Sequence, residues 1–295
     1  MLLTLRHLIE YALFRLAWGL LRLIPERKAY AAGLWIGRVG ARLVPRRKRI
    51  AVSNILAAGI TQDAAEAERI AVRSMGHFIG HILETIRSGD KVAAHWRDHV
   101  AIEMSDSWLD FIQGHDKPFM IVSGHLGTWE VAVPVISSFR PMIAIAQMMQ
   151  NPYVARFMQR SHFRGRITVI GKERGFSAGV MRQWQREKSA LTILMDQRAS
   201  GRSGVRLPFF GRETFVYTSP ARIALKSGCP MIFGAFVRDG LLHYRMYSTD
   251  PLEIERTGDF DEDVKRLTAL LLKHLEGCIR RWPEQYLWMH NRWKA

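Results

Sequence analysis

Along the first quarter of the chain, apolar residues recur at helical spacing. Leu2, Leu5, Ile9, Leu13, Leu16, Leu20 and Leu23 follow one another at steps of three and four, which predicts an amphipathic helix over residues 2–24 ending at Pro25. Arg6, Glu10 and Arg15 interrupt the stripe, so the segment departs from the about 20 mostly apolar residues of a spanning helix, and the sequence leaves open whether it spans the bilayer, inserts obliquely or lies along it. The same charges, with no small-residue cleavage site after them, argue against a cleaved signal peptide. Such a helix can lie in a membrane interface, or it can serve as a core helix of a globular domain. Residues 29–44 form a second apolar stretch, in which Gly33 and Gly37 make a GxxxG pair suited to close helix packing. It ends at Pro45, before Arg46, Arg47, Lys48 and Arg49. That basic cluster reads as a headgroup-binding patch, a solvated loop or a nucleic-acid patch. A third helical pattern covers residues 62–87.

From about residue 100 the periodicity changes. Short apolar runs at Pro118–Val122, Met142–Ala146, Ile167–Ile170, Ala190–Met195, Pro230–Val237 and Leu242–Tyr247 read as strands. Between them lie helical stretches near 129–138, 152–162, 175–187 and 218–227, and a long helix follows near 260–281. This alternation predicts an α/β fold, with a mostly parallel or mixed central sheet flanked by helices and membrane-associating helices before it. The expected division is a helical, membrane-associating segment over 1–48 and an α/β domain over 49–295, with a helical lead-in to about residue 100.

Composition sharpens this picture in two ways. The chain of 295 residues carries 43 Lys and Arg against 27 Asp and Glu, a net charge of +16, which favours polyanionic partners such as anionic lipid, phosphorylated substrates or an acidic protein. Nucleic acid would satisfy the charge too, but no recognised nucleic-acid fold motif supports it. Cys229 and Cys278 stand apart from any CxxC pair or metal-spaced histidine, which argues against both a disulfide framework and a zinc site. His115 and His162 complete no ligand set, and there is no P-loop or dinucleotide fingerprint, so neither metal nor nucleotide cofactor is expected.

The chemistry concentrates in Ser123-Gly-His125-Leu-Gly-Thr-Trp-Glu130, at the end of a buried strand. Functional groups of α/β sheets gather at the carboxyl ends of strands. With His125 in the loop and Glu130 in the first turn of the following helix, the carboxylate could hold the imidazole and fix its tautomer. A neutral histidine so held is a base for removing a proton from a hydroxyl. Taken alone, His-x4-Glu is a short pattern, equally met by a core histidine and an unrelated surface glutamate.

The same segment resembles the signature of the bacterial lipid A biosynthesis acyltransferases, the late lauroyl/myristoyl transferase family. Other stretches resemble that family in the same order: Arg49-x4-Asn54; Asn151-Pro152 with Arg164 downstream; Asp196-Gln197 after a buried strand; Gly204-Val-Arg-Leu-Pro-Phe-Phe-Gly211; and Pro283-Glu-Gln-Tyr-Leu-Trp-Met-His-Asn-Arg-Trp-Lys294. One departure is Thr128, where many members carry Asn; either residue can cap a helix start. The resemblance covers nearly the whole chain. It implies transfer of a fatty acyl group, usually from acyl carrier protein, to a hydroxyl of a phosphorylated, acylated sugar lipid at the cytoplasmic face of the inner membrane. It further implies His125 as base, Glu130 as its partner, Arg164 in catalysis or anion binding, and Asp196 and Gln197 lining the site. A coenzyme A thioester is the alternative donor, and another glycolipid or a phospholipid the alternative acceptor. The rival classes are a thioesterase using the same pair on water, a basic membrane- or nucleic-acid-binding protein, and a catalytically inert scaffold.

Overall fold

The computed structural model describes residues 2–114, 117–147, 149–161, 167–171, 176–200 and 204–293. Four helices come first: α1 (Leu2–Leu21), α2 (Glu26–Leu43), α3 (Pro45–Ala57) and α4 (Ala64–Ala94). The expected third pattern over 62–87 is thus part of a longer α4, started by Asp63, whose side chain accepts from the Ala65 amide at 2.8 Å. The second stretch ends just before Pro45, with α2 stopping at Leu43, and Pro45 opens a new helix, α3, at a position where its missing N–H is harmless. The basic run Arg46–Arg49 therefore lies on the first turn of a helix, not in a loop.

The GxxxG pair of α2 has its counterpart within the chain. Gly33 faces Gly80, and Gly37 faces Gly76, both on α4. A Cβ added to either α2 glycine would lie 2.2 Å from the opposing Cα, so only glycine permits this approach. α2 is packed on α4, and residue 48 falls inside α3. Among the described residues no helix is long and apolar enough to cross a membrane.

The rest of the chain builds an α/β layer structure. In order come α5 (Trp96–His99), β1 (Val100–Glu103), α6 (Asp106–Gly114), β2 (Phe119–Ser123), α7 (Trp129–Phe139), β3 (Met142–Ala146), α8 (Pro152–Ser161), β4 (Ile167–Gly171), α9 (Ala178–Glu187) and β5 (Ala190–Leu194). Then follow β6 (Gly204–Phe209), β7 (Arg212–Tyr217), α10 (Ser219–Ser227), β8 (Met231–Gly240), β9 (His243–Ser248) and α11 (Phe260–Arg281). Among the described residues, seven strands form one sheet in the order β1-β9-β8-β2-β5-β3-β4. β8, β2, β5, β3 and β4 are parallel, while β9 runs antiparallel to β8 and pairs in parallel with β1. The sheet is thus mixed and mostly parallel, with helices on both faces. The central strand β2 is buried at every residue, as a strand covered on both faces must be.

The Gly204–Gly211 stretch forms most of a hairpin, β6 paired antiparallel with β7. Its turn is Phe210-Gly211, both at positive φ (52° and 71°), the two-residue geometry whose twist matches the strands. α1 contacts mainly α8. Asn151 donates to the His7 carbonyl at 2.8 Å and to Glu10 at 3.0 Å, and Phe14 and Trp18 pack edge-on against Phe157. Leu5, Leu8, Ile9, Leu13, Leu16 and Leu20 of α1 are left exposed.

Candidate active site

The parallel pairing of β2 and β5 sets the site. Ser123 is level with Leu194 in the ladder, and His125 and Asp196 each lie two residues beyond that pair. Both side chains therefore emerge at the carboxyl ends of adjacent strands. His125 Nδ1 lies 2.7 Å from Asp196 Oδ1. Gly124 makes room for the contact, since a Cβ there would sit 2.8 Å from Leu275 Cδ1 and 3.3 Å from Asp196 Cγ.

The sequence pattern points to Glu130 as the residue holding the imidazole, and the family resemblance places Asp196 in the lining of the site. The Nδ1 partner is Asp196. Glu130, in the first turn of α7, acts on His125 through its negative charge. Burial drags the His125 pKa down, but the charge and hydrogen bond of Asp196, with the charge of Glu130, outweigh it, and the net shift is upward. Burial likewise opposes ionisation of Asp196, but His125 and Arg292 overcome it and hold the carboxyl down at about 2. An ionised Asp196 requires the Nδ1 proton, which leaves Nε2 of neutral His125 as the basic atom.

The turn after His125 is locked from several sides. Gly127 adopts φ +71°, and a Cβ there would meet the Phe236 carbonyl oxygen at 2.1 Å. Its amide donates to the Gln285 carbonyl at 2.9 Å, and the Leu287 amide donates to the His125 carbonyl at 3.0 Å. Thr128 does not cap α7 with its side chain. Its amide and hydroxyl both donate to the Phe236 carbonyl, at 2.6 and 3.2 Å, and so pin the turn to β8.

Beneath this turn lies a polar layer that sequence reasoning missed. His77 of α4 bonds through Nε2 to the Gly127 carbonyl at 2.9 Å and through Nδ1 to the Tyr30 hydroxyl at 2.8 Å. Burial lowers its pKa to about 4, so it is neutral and donates from Nε2. Glu84, fully buried, takes Arg238 at 3.0 and 3.1 Å and the Tyr244 hydroxyl at 2.9 Å. The His81 ring centroid lies 4.3 Å from that of Trp129, tilted by 60°, and the Trp129 centroid is 5.2 Å from that of His125. His77, His81 and Glu84 recur at steps of four and three on α4. That polar stripe on an otherwise apolar face was the available signal.

The C-terminal segment closes the other side. The Asn54 amide donates to the carbonyls of Trp288 and His290 at 2.8 and 2.7 Å, and the His290 ring accepts from the Arg198 amide at 2.9 Å. Tyr286 is buried against Asp196, and burial with that neighbouring charge pushes its phenol well above the usual range. Arg292 is buried over the Phe209 ring, 4.6 Å from its centroid.

His125, Trp129 and Glu130 stand in the wall of a cavity of about 400 Å³. It extends over one face of the sheet, floored by alternate residues such as Ile121, Gly234, Thr192, Ala144 and Val169, and it is bounded by α7 and by Met158 of α8. Its lining is mostly apolar, with Gln147, Gln159, Thr192 and Ser248 among the polar residues besides His125 and Glu130. Gln197 follows Asp196 and is exposed. Arg164 lies outside the described residues, as do His115 and His162.

An imidazole–carboxylate pair at the strand ends of an α/β sheet, beside a mostly apolar cavity, is an arrangement suited to acid–base chemistry on an apolar substrate. Residues 2–295 match the bacterial lipid A biosynthesis acyltransferase family, and the chain belongs to it. It is similar to the lipid A biosynthesis palmitoleoyltransferase of Escherichia coli K12, at 25% identity over 270 residues covering 89% of this chain and 84% of that protein. The lipid A biosynthesis lauroyltransferase of the same organism is 22% identical over 293 residues, covering 97% and 92%. Among solved structures, a 1-acyl-sn-glycerophosphate acyltransferase from Thermotoga maritima covers 83% of this chain and 95% of its own, at 13% identity and a TM-score of 0.37, too remote to bear on the argument. The protein is an acyltransferase, and its family acts on lipid A-type glycolipids.

Proposed function

We propose that the protein transfers a fatty acyl group from an acyl carrier protein thioester to a hydroxyl of a phosphorylated, acylated sugar lipid, with His125 as general base. The observation that carries this reading is the Nδ1 contact of His125 with buried Asp196 at the wall of the apolar cavity. Asp196 fixes the tautomer, so Nε2 accepts the proton of the acceptor hydroxyl as its oxygen attacks the thioester carbonyl. Collapse of the tetrahedral intermediate forms the ester and breaks the C–S bond, and the imidazolium returns the proton to the departing thiolate. Glu130 stabilises that imidazolium by charge, while Arg164 and Gln197 are assigned to substrate binding. The cavity holds acyl chain and excludes water from it, which favours transfer over hydrolysis.

The reaction belongs at a membrane surface, in this reading the cytoplasmic face of the inner membrane. The exposed leucines of α1 support it, because a helix with one apolar face buries that face in the interface. The basic surface suits both an acidic carrier protein and anionic headgroups.

The test is acyl transfer in mixed micelles containing a phosphorylated, acylated disaccharide lipid, with acyl carrier protein and coenzyme A thioesters compared as donors. Acylated lipid and free fatty acid are both quantified. The reading expects acceptor-dependent product, made faster from the carrier-protein donor. Fatty acid released at the same rate with or without acceptor would replace it with a hydrolase.

A further inference from the structure

Two parts of the sequence motifs take no part in the proton transfer: Arg49-x4-Asn54, and Asn291 and Trp293 on either side of Arg292. In the structure they meet. Arg49, Asn54, Asn291 and Trp293 line one cleft of about 330 Å³, together with Arg46 of α3 and Arg212, the first residue of β7. Arg46 and Arg49 come from the first turn of α3, whereas Arg212 is delivered by the Phe210-Gly211 hairpin turn. All three arginines are exposed, and among the described residues none of their guanidinium groups has a hydrogen bond or an ion pair. Their neighbours differ. Lys48 is held by Glu68 at 2.6 Å, and Arg47 reaches the Met289 carbonyl at 3.4 Å. The cleft thus gathers three uncommitted guanidinium groups from two separate elements.

Like charges brought together repel, and an anion with more than one negative charge relieves that repulsion best. A phosphate monoester carries about −1.5 to −2 near neutral pH and offers three acceptor oxygens, which match the planar fork of arginine. A phosphodiester or carboxylate carries a single charge. We propose that this cleft binds a phosphate monoester on the headgroup of the sugar-lipid acceptor. The inference rests on the acceptor class proposed above. The cleft is joined to the reacting centre through Asn54, which holds the Trp288 and His290 carbonyls, and through His290, which holds the Arg198 amide two residues beyond Asp196. A headgroup fixed in the cleft is thereby registered against the segment that packs on the His125–Asp196 pair.

The experiment measures binding, so it stands or falls independently of turnover. The full-length protein is titrated with micelles carrying the phosphorylated disaccharide lipid, the same lipid without its phosphates, or phosphatidylglycerol. Wild type is compared with R46Q/R49Q/R212Q and with R46K/R49K/R212K. The glutamine variant is expected to lose about 10- to 100-fold in affinity for the phosphorylated disaccharide lipid, the loss of one or two charge-assisted hydrogen bonds. It should bind the dephosphorylated lipid as wild type does, and the lysine variant should recover only part of the loss. Equal weakening toward phosphatidylglycerol would show general attraction to anionic surfaces and overturn the site. So would unchanged binding by the glutamine variant, or a wild type that does not distinguish the phosphorylated from the dephosphorylated lipid.

Discussion

His125 and Asp196 are 71 residues apart in sequence and 2.7 Å apart in space, each placed two residues past a paired position of β2 and β5. Because Asp196 and Glu130 hold the imidazole pKa above its ordinary 6.5, transfer should decline as pH falls through a midpoint above that value. D196N removes one of the two charges and should move this acid limb to lower pH while reducing the maximal rate. A pH–rate profile of both proteins checks the sign.

The same pair links stability to pH. A histidine whose pKa is raised on folding contributes stability that is full below 6.5 and lost as pH rises through the folded value. An aspartate lowered from 3.8 to about 2 contributes above 3.8 and loses it as pH falls toward 2. Their mutual stabilisation is therefore greatest between about pH 4 and 6.5. Urea denaturation of wild type and D196N should show the largest difference in that window and a smaller one at pH 9.

Replacing Gly37 by Ala puts a methyl 2.2 Å from the Gly76 Cα, which α2 and α4 can accommodate only by moving apart. The expected loss is about 1–3 kcal/mol, the range for overpacking a tight contact. Chemical denaturation measures it, and Gly40→Ala, whose Cβ meets nothing within 4 Å, serves as the control on the same helix.

Glu84→Ala strands the Arg238 guanidinium and the Tyr244 hydroxyl beneath the Gly127 turn. Removing one member of a buried ion pair costs about 3–5 kcal/mol. Glu84→Gln, which keeps the shape and can still accept hydrogen bonds, should lose less.

Leu13 and Leu16 are 62% and 61% exposed in α1, so substituting both by Ser should leave the fold intact. Each leucine buried in an interface contributes about 1.5–3 kcal/mol, so vesicle binding should fall by at least tenfold. Co-sedimentation with anionic vesicles measures this, and unchanged binding would remove α1 from the membrane contact.

The sequence made the regular parts of the fold legible and left the long-range ones hidden. β3 is legible at Met142–Ala146, as observed, because its apolar run is bounded by Pro141 and polar residues. β6 and β7 are hidden in the sequence, since Pro208 argues against a strand and Phe210-Gly211 is not among the common hairpin-turn dipeptides. The site motif around His125 was visible as a strand running into a glycine-flanked turn. The identity of its Nδ1 partner was not, since the sheet order that sets β5 beside β2 is a tertiary property and His-x4-Glu offers a nearer carboxylate. Thr128 shows the same effect on a smaller scale. A residue suited to capping turns instead to the carbonyl of Phe236, which only β8 could supply.

The central claim is that His125 and Asp196 act as one unit in moving the acceptor proton. Single-turnover acyl transfer by wild type, H125A, D196N and the double variant, each confirmed as folded, tests it most directly. The account predicts that H125A loses about 10²–10⁴ in rate and that adding D196N to it costs little more, as for groups that work together. Full transfer by H125A, or losses that multiply in the double variant, would contradict it.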